Sequence, residues 1–237
     1  MRNLRGYFFS KINLNNTDDP VRYIIKALRD LEDNFIEGFQ LIDFFESGNR
    51  TIRIEILKRS PTYLLDYDEG SRSLLKRETF IFSQASFEID FNHNILITSG
   101  GMATNAEVKT FIRRLLGNIN VFPLSFNILK LYGDFQSKDW IVLLKAISIR
   151  KFNYKNGLVG RFSGQIVDTI ISDEILKEYN KDILKATLEL NNRFLQFDLQ
   201  IFPNGAIKIL ADAENQEEIL DYLKIDLLED NGGRSII

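Results

Sequence analysis

The chain has 237 residues, 44% hydrophobic and 27% charged, with nineteen Phe, four Pro, one His, no Cys and a formal net charge of −3. That composition excludes intrinsic disorder and supplies a core for one large domain or two small ones. Without Cys there are no disulfides, zinc ribbons, iron–sulfur clusters or thiol nucleophiles, and His93 alone cannot complete a Ser-His-Asp triad or a His-based metal centre.

A first strand is predicted over Leu4 to Leu14, followed by the polar turn Asn15-Asn16-Thr17-Asp18-Asp19-Pro20. An Asp cap and a Pro in the first turn open a helix there that runs to about Leu31, with Ile24, Ile25, Leu28 and Leu31 on its core face. Strand patterns then cover Phe35 to Phe45 and Thr51 to Leu57, where Ile52, Ile54 and Ile56 alternate with Arg53 and Glu55. Another strand, Thr62 to Tyr67, leads into the polar loop Asp68-Glu69-Gly70-Ser71. Thr79 to Ser99 reads as a hairpin around a three-residue loop, Asn92-His93-Asn94, which sets Phe91 opposite Ile95 and Ile89 opposite Ile97.

Thr104 and Glu107 form a capping box for a helix whose core stripe is Val108, Phe111, Ile112, Leu115 and Leu116, closed by Gly117. Strands are predicted at Asn118 to Pro123 and Phe126 to Tyr132. A helix capped by Ser137 follows, carrying Trp140, Leu143, Leu144 and Ile147. The next hairpin, 147–166, turns at Asn156-Gly157, a type I′ signal. If the loop has two residues, Lys155 pairs with Leu158, Phe152 with Arg161 and Arg150 with Ser163. A short helix over Asp173 to Tyr179, a three-stranded meander (Ile183 to Leu190, Arg193 to Phe202, Ala206 to Ala211) and a closing helix over Glu214 to Leu223 complete the chain. Hairpins interspersed with helices give an α+β class: antiparallel hairpins and meanders packed with helices, with room for two related lobes, 1–134 and 135–237.

The net charge conceals an asymmetry. Residues 108–167 hold ten bases against two acids, for +8, whereas 168–237 hold seven against fifteen, for −8. Either the middle segment is a polyanion-binding surface, or the two segments neutralise each other across the fold. In the 147–166 hairpin the expected register places Arg150, Phe152, Tyr154, Val159 and Arg161 on one face, Arg interleaved with aromatics. Such a face contacts phosphates and stacks bases, or else its aromatics pack beneath a neighbouring helix, as strand Phe and Tyr usually do. On the helix after Thr104, Lys109 and Arg113 lie four apart, opposite the apolar stripe, with Arg114 beside them.

Other motifs carry less. Ser99-Gly100-Gly101 lacks the spacing of a phosphate-binding loop. Asp66-Tyr67-Asp68-Glu69-Gly70 places Gly where a calcium loop needs a ligand. Glu88 and Asp90 share one face of a strand, and paired carboxylates can bind magnesium in nucleases, but no Asp…Glu-x-Lys pattern accompanies them and polar-face residues are the default there. No metal or cofactor is expected. The apolar run Tyr7 to Phe9 is too short for a signal peptide and no segment approaches 18 uninterrupted apolar residues, so the expectation is a cytoplasmic protein without membrane contact.

The stretch PheGluIleAspPheAsnHisAsnIleLeuIleThr, the capped helix ending in ArgArgLeuLeuGly and the following AsnValPheProLeuSer resemble a hairpin, helix and proline-containing strand of the RdgC family of recombination-associated DNA-binding proteins. LeuLysAlaThrLeuGluLeuAsnAsnArgPheLeuGlnPheAspLeuGln with AsnGlyAlaIleLysIleLeu is similar to that family's C-terminal meander. The opening strand, helix and hairpin layout resembles RexA-like phage-exclusion proteins. The resemblance implies sequence-tolerant binding of double-stranded DNA, without catalysis, by a homodimer with a basic channel.

The resulting expectation is a non-enzymatic, largely sequence-independent DNA-binding protein in phage defence, exclusion or recombination control. Lys109, Arg113, Arg114, Arg150, Lys151, Lys155 and Arg161 are the expected phosphate contacts, and Phe152 and Tyr154 the expected stacking platforms. The alternative is a protein-interaction subunit of an anti-phage or toxin system that does not touch nucleic acid.

Overall fold

The computed structural model describes residues 2–14, 19–47, 50–68, 70, 72–117, 119–138, 140–154 and 158–228. Among these lie five α-helices and twelve strands, including the short β7 (Val121–Pro123), and the registered strand pairs are antiparallel, an α+β protein. The chain divides into two units: residues 11–121, and residues 1–10 together with 122–237. The division falls ahead of the expected boundary at 134/135, and the first ten residues belong with the C-terminal part. Strand pairing explains this assignment, because strand β1 (Arg2–Ile12) is hydrogen-bonded along Arg2–Phe8 to β12 (Ala206–Asp212).

In the 11–121 unit, helix α1 (Pro20–Arg29) begins as its sequence dictates. The Asp19 carboxylate accepts from the Arg22 amide at 3.2 Å, Pro20 needs no donor partner, and Val21, Ile24 and Leu28 are buried. Strands β2 (Phe35–Ile36), β3 (Phe39–Ser47), β4 (Thr51–Asp68), β5 (Ser73–Asp90) and β6 (Ile95–Ser99) pair in that order. Helix α2 (Met102–Leu116) buries Val108, Phe111, Ile112 and Leu116, and Phe111 meets Phe39 and Phe87 edge-on at 5.8 and 5.9 Å. Truncating so enclosed a ring costs about 3–5 kcal/mol.

Several local expectations change here. The runs expected as separate strands at 51–57 and 62–67 are one strand, β4, paired over 18 residues with β5 across a turn in which Arg72 has φ +52°. The β5–β6 connection is a four-residue turn, 91–94, and Ile89 faces Leu96, not Ile97. The Asp90 carboxylate shifts the register: Oδ1 accepts from the Asn92 and His93 amides at 2.8 and 3.3 Å, and Asn94 takes φ +54°. The capping box is not formed. Gly101 stands at the helix start without a side-chain bond, and Glu107 binds Lys58 Nζ at 2.8 Å and Ser83 Oγ at 3.3 Å.

In the second unit, β1 pairs with β12, then come β11 (Gln196–Phe202), β10 (Ile183–Asn191), β8 (Ile141–Tyr154) and β9 (Leu158–Gln165). The meander matches its predicted strands closely. The preceding segment reverses the expectation: Phe126 to Tyr132 is no strand, and the stretch after Ser137 is no helix. Ile128, Leu131, Tyr132 and Phe135 recur at helical spacing and are buried on helix α3 (Ile128–Ser137), which the Asn127 side chain caps at the Lys130 amide. Ser137 closes that helix by donating to the Asp134 carbonyl, and burial then alternates along β8 through Val142 and Leu144. Helix α4 (Thr169–Glu178) is capped by Asp168, and α5 (Gln216–Leu228) is tied to β1 by Gln216 donating to the Asn3 carbonyl at 2.6 Å.

Gly205 turns β11 into β12 at φ +80°, and its carbonyl accepts from the Phe9 amide at 2.8 Å. A Cβ there would lie 2.5 Å from the Leu124 carbonyl oxygen and 2.7 Å from that of Phe9, so the position admits only Gly.

Candidate nucleic-acid interface

The nine sequence-selected residues fall in both units. Lys109, Arg113 and Arg114 lie on α2 in the first; Arg150, Lys151, Phe152, Tyr154 and Arg161 lie on β8 and β9 in the second. Lys155 and the Asn156-Gly157 turn lie outside the described residues, as do Asp139, Glu229 and Asp230 of the charge count.

On α2 the basic face is reduced by its own surroundings. Arg114 donates to the Glu37 carbonyl, pairs with the Glu37 carboxylate at 3.0 Å and lies 5.5 Å from the Phe39 ring. Lys109 is half-buried, and burial, then the neighbouring Arg113, holds its ammonium below the ordinary lysine range. Arg113 is exposed. Arg114 and Glu37 also line a cleft of about 300 Å³ with Lys58, Arg59, Glu107 and Thr110, in which Arg114 already faces Glu37 and Lys58 faces Glu107.

The β8–β9 hairpin departs from the expected register. Tyr154 faces Leu158, Phe152 faces Gly160 and Ile149 faces Phe162, with a bulge at Arg150 and Lys151. The bulge changes which residues share a face. Phe152 now sits on the same side as Ile149 and Phe162, opposite to the expected pairing with Arg161. It stacks on Phe162 at 4.7 Å and on Tyr179 at 5.0 Å, and Tyr154 approaches edge-on at 5.1 Å. The Tyr154 hydroxyl donates to the Arg161 carbonyl at 3.0 Å. These aromatics therefore pack upon one another, and the interleaved Arg–aromatic surface is not formed. Gly160 and Gly164 make room for the rings: a Cβ on either would meet Tyr154 or Phe162.

The cations of this hairpin are another matter. Arg150, Lys151 and Arg161 are exposed, and none forms an ion pair among the described residues. The Arg150 amide is fixed on the Asp182 carbonyl at 2.8 Å, which pins the bulge. Part of the +8 segment is nonetheless neutralised by the acidic C-terminal third. Lys145 bridges Glu189 at 3.0 Å and Asp198 at 3.1 Å, bonds that raise its pKa and lower that of Glu189.

Glu88 and Asp90 are both buried and engaged. Glu88 holds Arg53 at 3.1 Å, and Asp90 holds His93 Nδ1 at 2.9 Å besides its two turn amides. Among the described residues, no group of three or more His, Cys, Asp or Glu side chains could hold a metal ion, and no helix is long and apolar enough to cross a membrane.

One feature escaped the sequence reading. Among the described residues, neither strand has a further registered partner beyond Lys58 on β4 and before Ser86 on β5, and the paired segment between them exposes Tyr63, Leu65, Tyr67, Leu74 and Phe82. The signal was present as two apolar-rich runs flanking Asp68 and Gly70, where the Asp68 carboxylate accepts the Gly70 amide at 3.2 Å.

No protein-family model matches the chain, and a search of curated proteins gives no match. The likeness to RdgC and RexA-like proteins accordingly rests on the quoted residues alone.

Proposed function

We propose that this chain is a non-catalytic, sequence-independent nucleic-acid-binding protein that meets the phosphate backbone with the β8–β9 hairpin. The observation that carries the reading is the trio of exposed cations, Arg150, Lys151 and Arg161, unpaired among the described residues on a bulged ribbon with an aromatic stack behind it. Guanidinium and ammonium groups on a rigid support neutralise phosphates without reading bases. The Phe152 ring is occupied by its neighbours, so stacking on bases is not part of the proposal. Double-stranded DNA is the preferred ligand, and phage exclusion or recombination control the setting, on the strength of the quoted resemblance.

Gel shifts across salt concentration with double-stranded DNA, single-stranded DNA and RNA test this. Retention should fall steeply with salt, and each of Arg150→Ala, Lys151→Ala and Arg161→Ala should flatten the log–log slope by about 0.9 on duplex DNA. Salt-insensitive retention, or none at low salt, removes the proposal. The second reading, a protein-interaction subunit, is favoured by the exposed apolar surface of the β4–β5 segment. Its mark is one stoichiometric protein that co-purifies despite nuclease treatment.

A further inference from the structure

We propose that the outer part of the β4–β5 ribbon, residues 59–82, is a surface through which two copies of this chain associate. The inference is independent of nucleic-acid binding and begins with a packing deficit. The β3–β4 register ends at Lys58 and the β5–β6 register begins at Ser86, so about ten residue pairs beyond them form a two-stranded ribbon without a flanking strand among the described residues. An isolated two-stranded ribbon is marginal in water, and this one is built from side chains that belong in a core.

Antiparallel pairing assigns its two faces. Tyr63 with Glu78, Leu65 with Lys76, Tyr67 with Leu74, Pro61 with Phe80 and Arg59 with Phe82 share one face; Leu64, Leu75 and Ile81 lie on the other. On the first face Leu65 is 67% exposed, Leu74 64%, Tyr67 58% and Phe82 56%. With Tyr63 and Phe80, 54% and 38% exposed, this presents apolar surface on the order of 600 Å², the largest patch an ordinary monomer carries. A standard interface needs about 800 Å² from each partner, most of which the first face supplies by itself.

The charge of the ribbon selects the kind of occupant. Residues 58–83 hold five bases (Lys58, Arg59, Arg72, Lys76, Arg77) and four acids (Asp66, Asp68, Glu69, Glu78), so a partner of single sign gains little. Two cations already lie on rings of the same face: Arg59 is 3.5 Å from the Phe80 centroid and Lys76 is 3.8 Å from that of Tyr63. Leu65 and Leu74 neither stack on bases nor bind phosphates, the Phe80 and Tyr63 rings are already covered by Arg59 and Lys76, and the acidic residues near the turn oppose insertion into an anionic bilayer. A surface of mixed sign with an apolar centre is complementary to itself, as an isologous two-fold contact requires.

Sedimentation of the full chain over a concentration series tests this. The unmodified chain should have the dimer mass at micromolar concentration, and Leu65→Glu combined with Leu74→Glu should raise the dimer dissociation constant by roughly 100-fold or more. Both sites are exposed in the single chain, so circular dichroism should stay unchanged and Tm should fall only by the share that dimerisation contributes. Because the chain has no cysteine, Leu65→Cys supplies a second readout: oxidation should cross-link it into dimers, whereas Phe194→Cys, at a position 90% exposed in the other unit, should remain uncrosslinked. A monomer at high concentration, a dimer indifferent to the double substitution, or equal cross-linking at both positions overturns the proposal. So does a ribbon that associates only with a different protein or with lipid vesicles.

Discussion

Replacing Gly205 with Ala should destabilise the protein far more than a single methyl group suggests. The native φ of +80° costs a side-chain-bearing residue about 1–2 kcal/mol. The new Cβ would also sit 2.5 and 2.7 Å from two backbone oxygens, those of Leu124 and Phe9, and backbone cannot swing aside as a lysine tip can. Relief requires the turn to move away from β1, which weakens the Phe9 amide bond to Gly205 at 2.8 Å and the Leu124 amide bond to Phe9 at 2.9 Å. At about 1 kcal/mol for each bond, the total reaches about 3–4 kcal/mol, or a fall in Tm of about 6–16 °C for a chain of this size. Gly133→Ala is the internal control. That glycine lies inside α3, and a Cβ added there would meet nothing within 4 Å, so the change should stabilise by up to about 1 kcal/mol. Thermal and urea unfolding of both variants against the parent measure the difference. A Gly205→Ala midpoint within about 1 kcal/mol of the parent, or a Gly133→Ala loss as large as that of Gly205→Ala, refutes the reasoning.

Phe152→Leu should lower stability by about 1–2 kcal/mol through its lost ring contacts while leaving affinity for single-stranded DNA unchanged; a loss of about 1–3 kcal/mol in that affinity would restore base stacking to the ring. Asp90→Ala should speed amide exchange at Asn92 and His93 by loosening the turn, at a cost of about 1–3 kcal/mol, and unchanged exchange would discount the carboxylate as its organiser. The Lys145–Glu189 contact predicts a pH dependence with two limbs. Hydrogen bonding to Lys145, then to Gln196, lowers the Glu189 pKa, so its contribution is present above the unfolded carboxylate value and is lost as pH falls through the native one. Lys145 is raised, chiefly by Glu189 and then Asp198, so its contribution is complete below the unfolded lysine value and is lost as pH rises through the native one. Glu189→Gln should flatten the acid limb of urea midpoints against pH, and superimposable acid limbs would assign that limb to other carboxylates.

Local chemistry determined much of this fold in advance. Helix α1 follows from Asp19, Pro20 and three apolar residues at helical spacing; the C-terminal meander follows from apolar alternation, cleanest in β11, between turns at Asn192 and Gly205. These elements were legible because each is specified by residues a few positions apart. Where the reading failed, the deciding partner lay outside the local window or in a single side chain. Residues 126–149 are rich in apolar side chains that fit either period, and packing chose helix for Ile128–Ser137 and strand for Ile141–Tyr154.

Composition alone excluded cysteine chemistry and His-based centres, and the segmental charge count located a basic middle. Whether those bases are available was a tertiary matter. Arg114 is tied to Glu37, Lys145 to Glu189 and Asp198, and Lys109 is half-buried, while Arg150, Lys151 and Arg161 remain exposed. A bulge at Arg150 and Lys151 also turned Phe152 into the aromatic stack, because one extra residue in a period of two exchanges the faces of everything beyond it. The apolar runs of β4 and β5 were visible as strands. That their outer halves lack flanking strands among the described residues, and so leave tyrosines, leucines and phenylalanines in water, depends on where β3 and β6 stop. Alternation in a strand records which residues share a face; only the neighbouring strands and helices determine whether that face is covered.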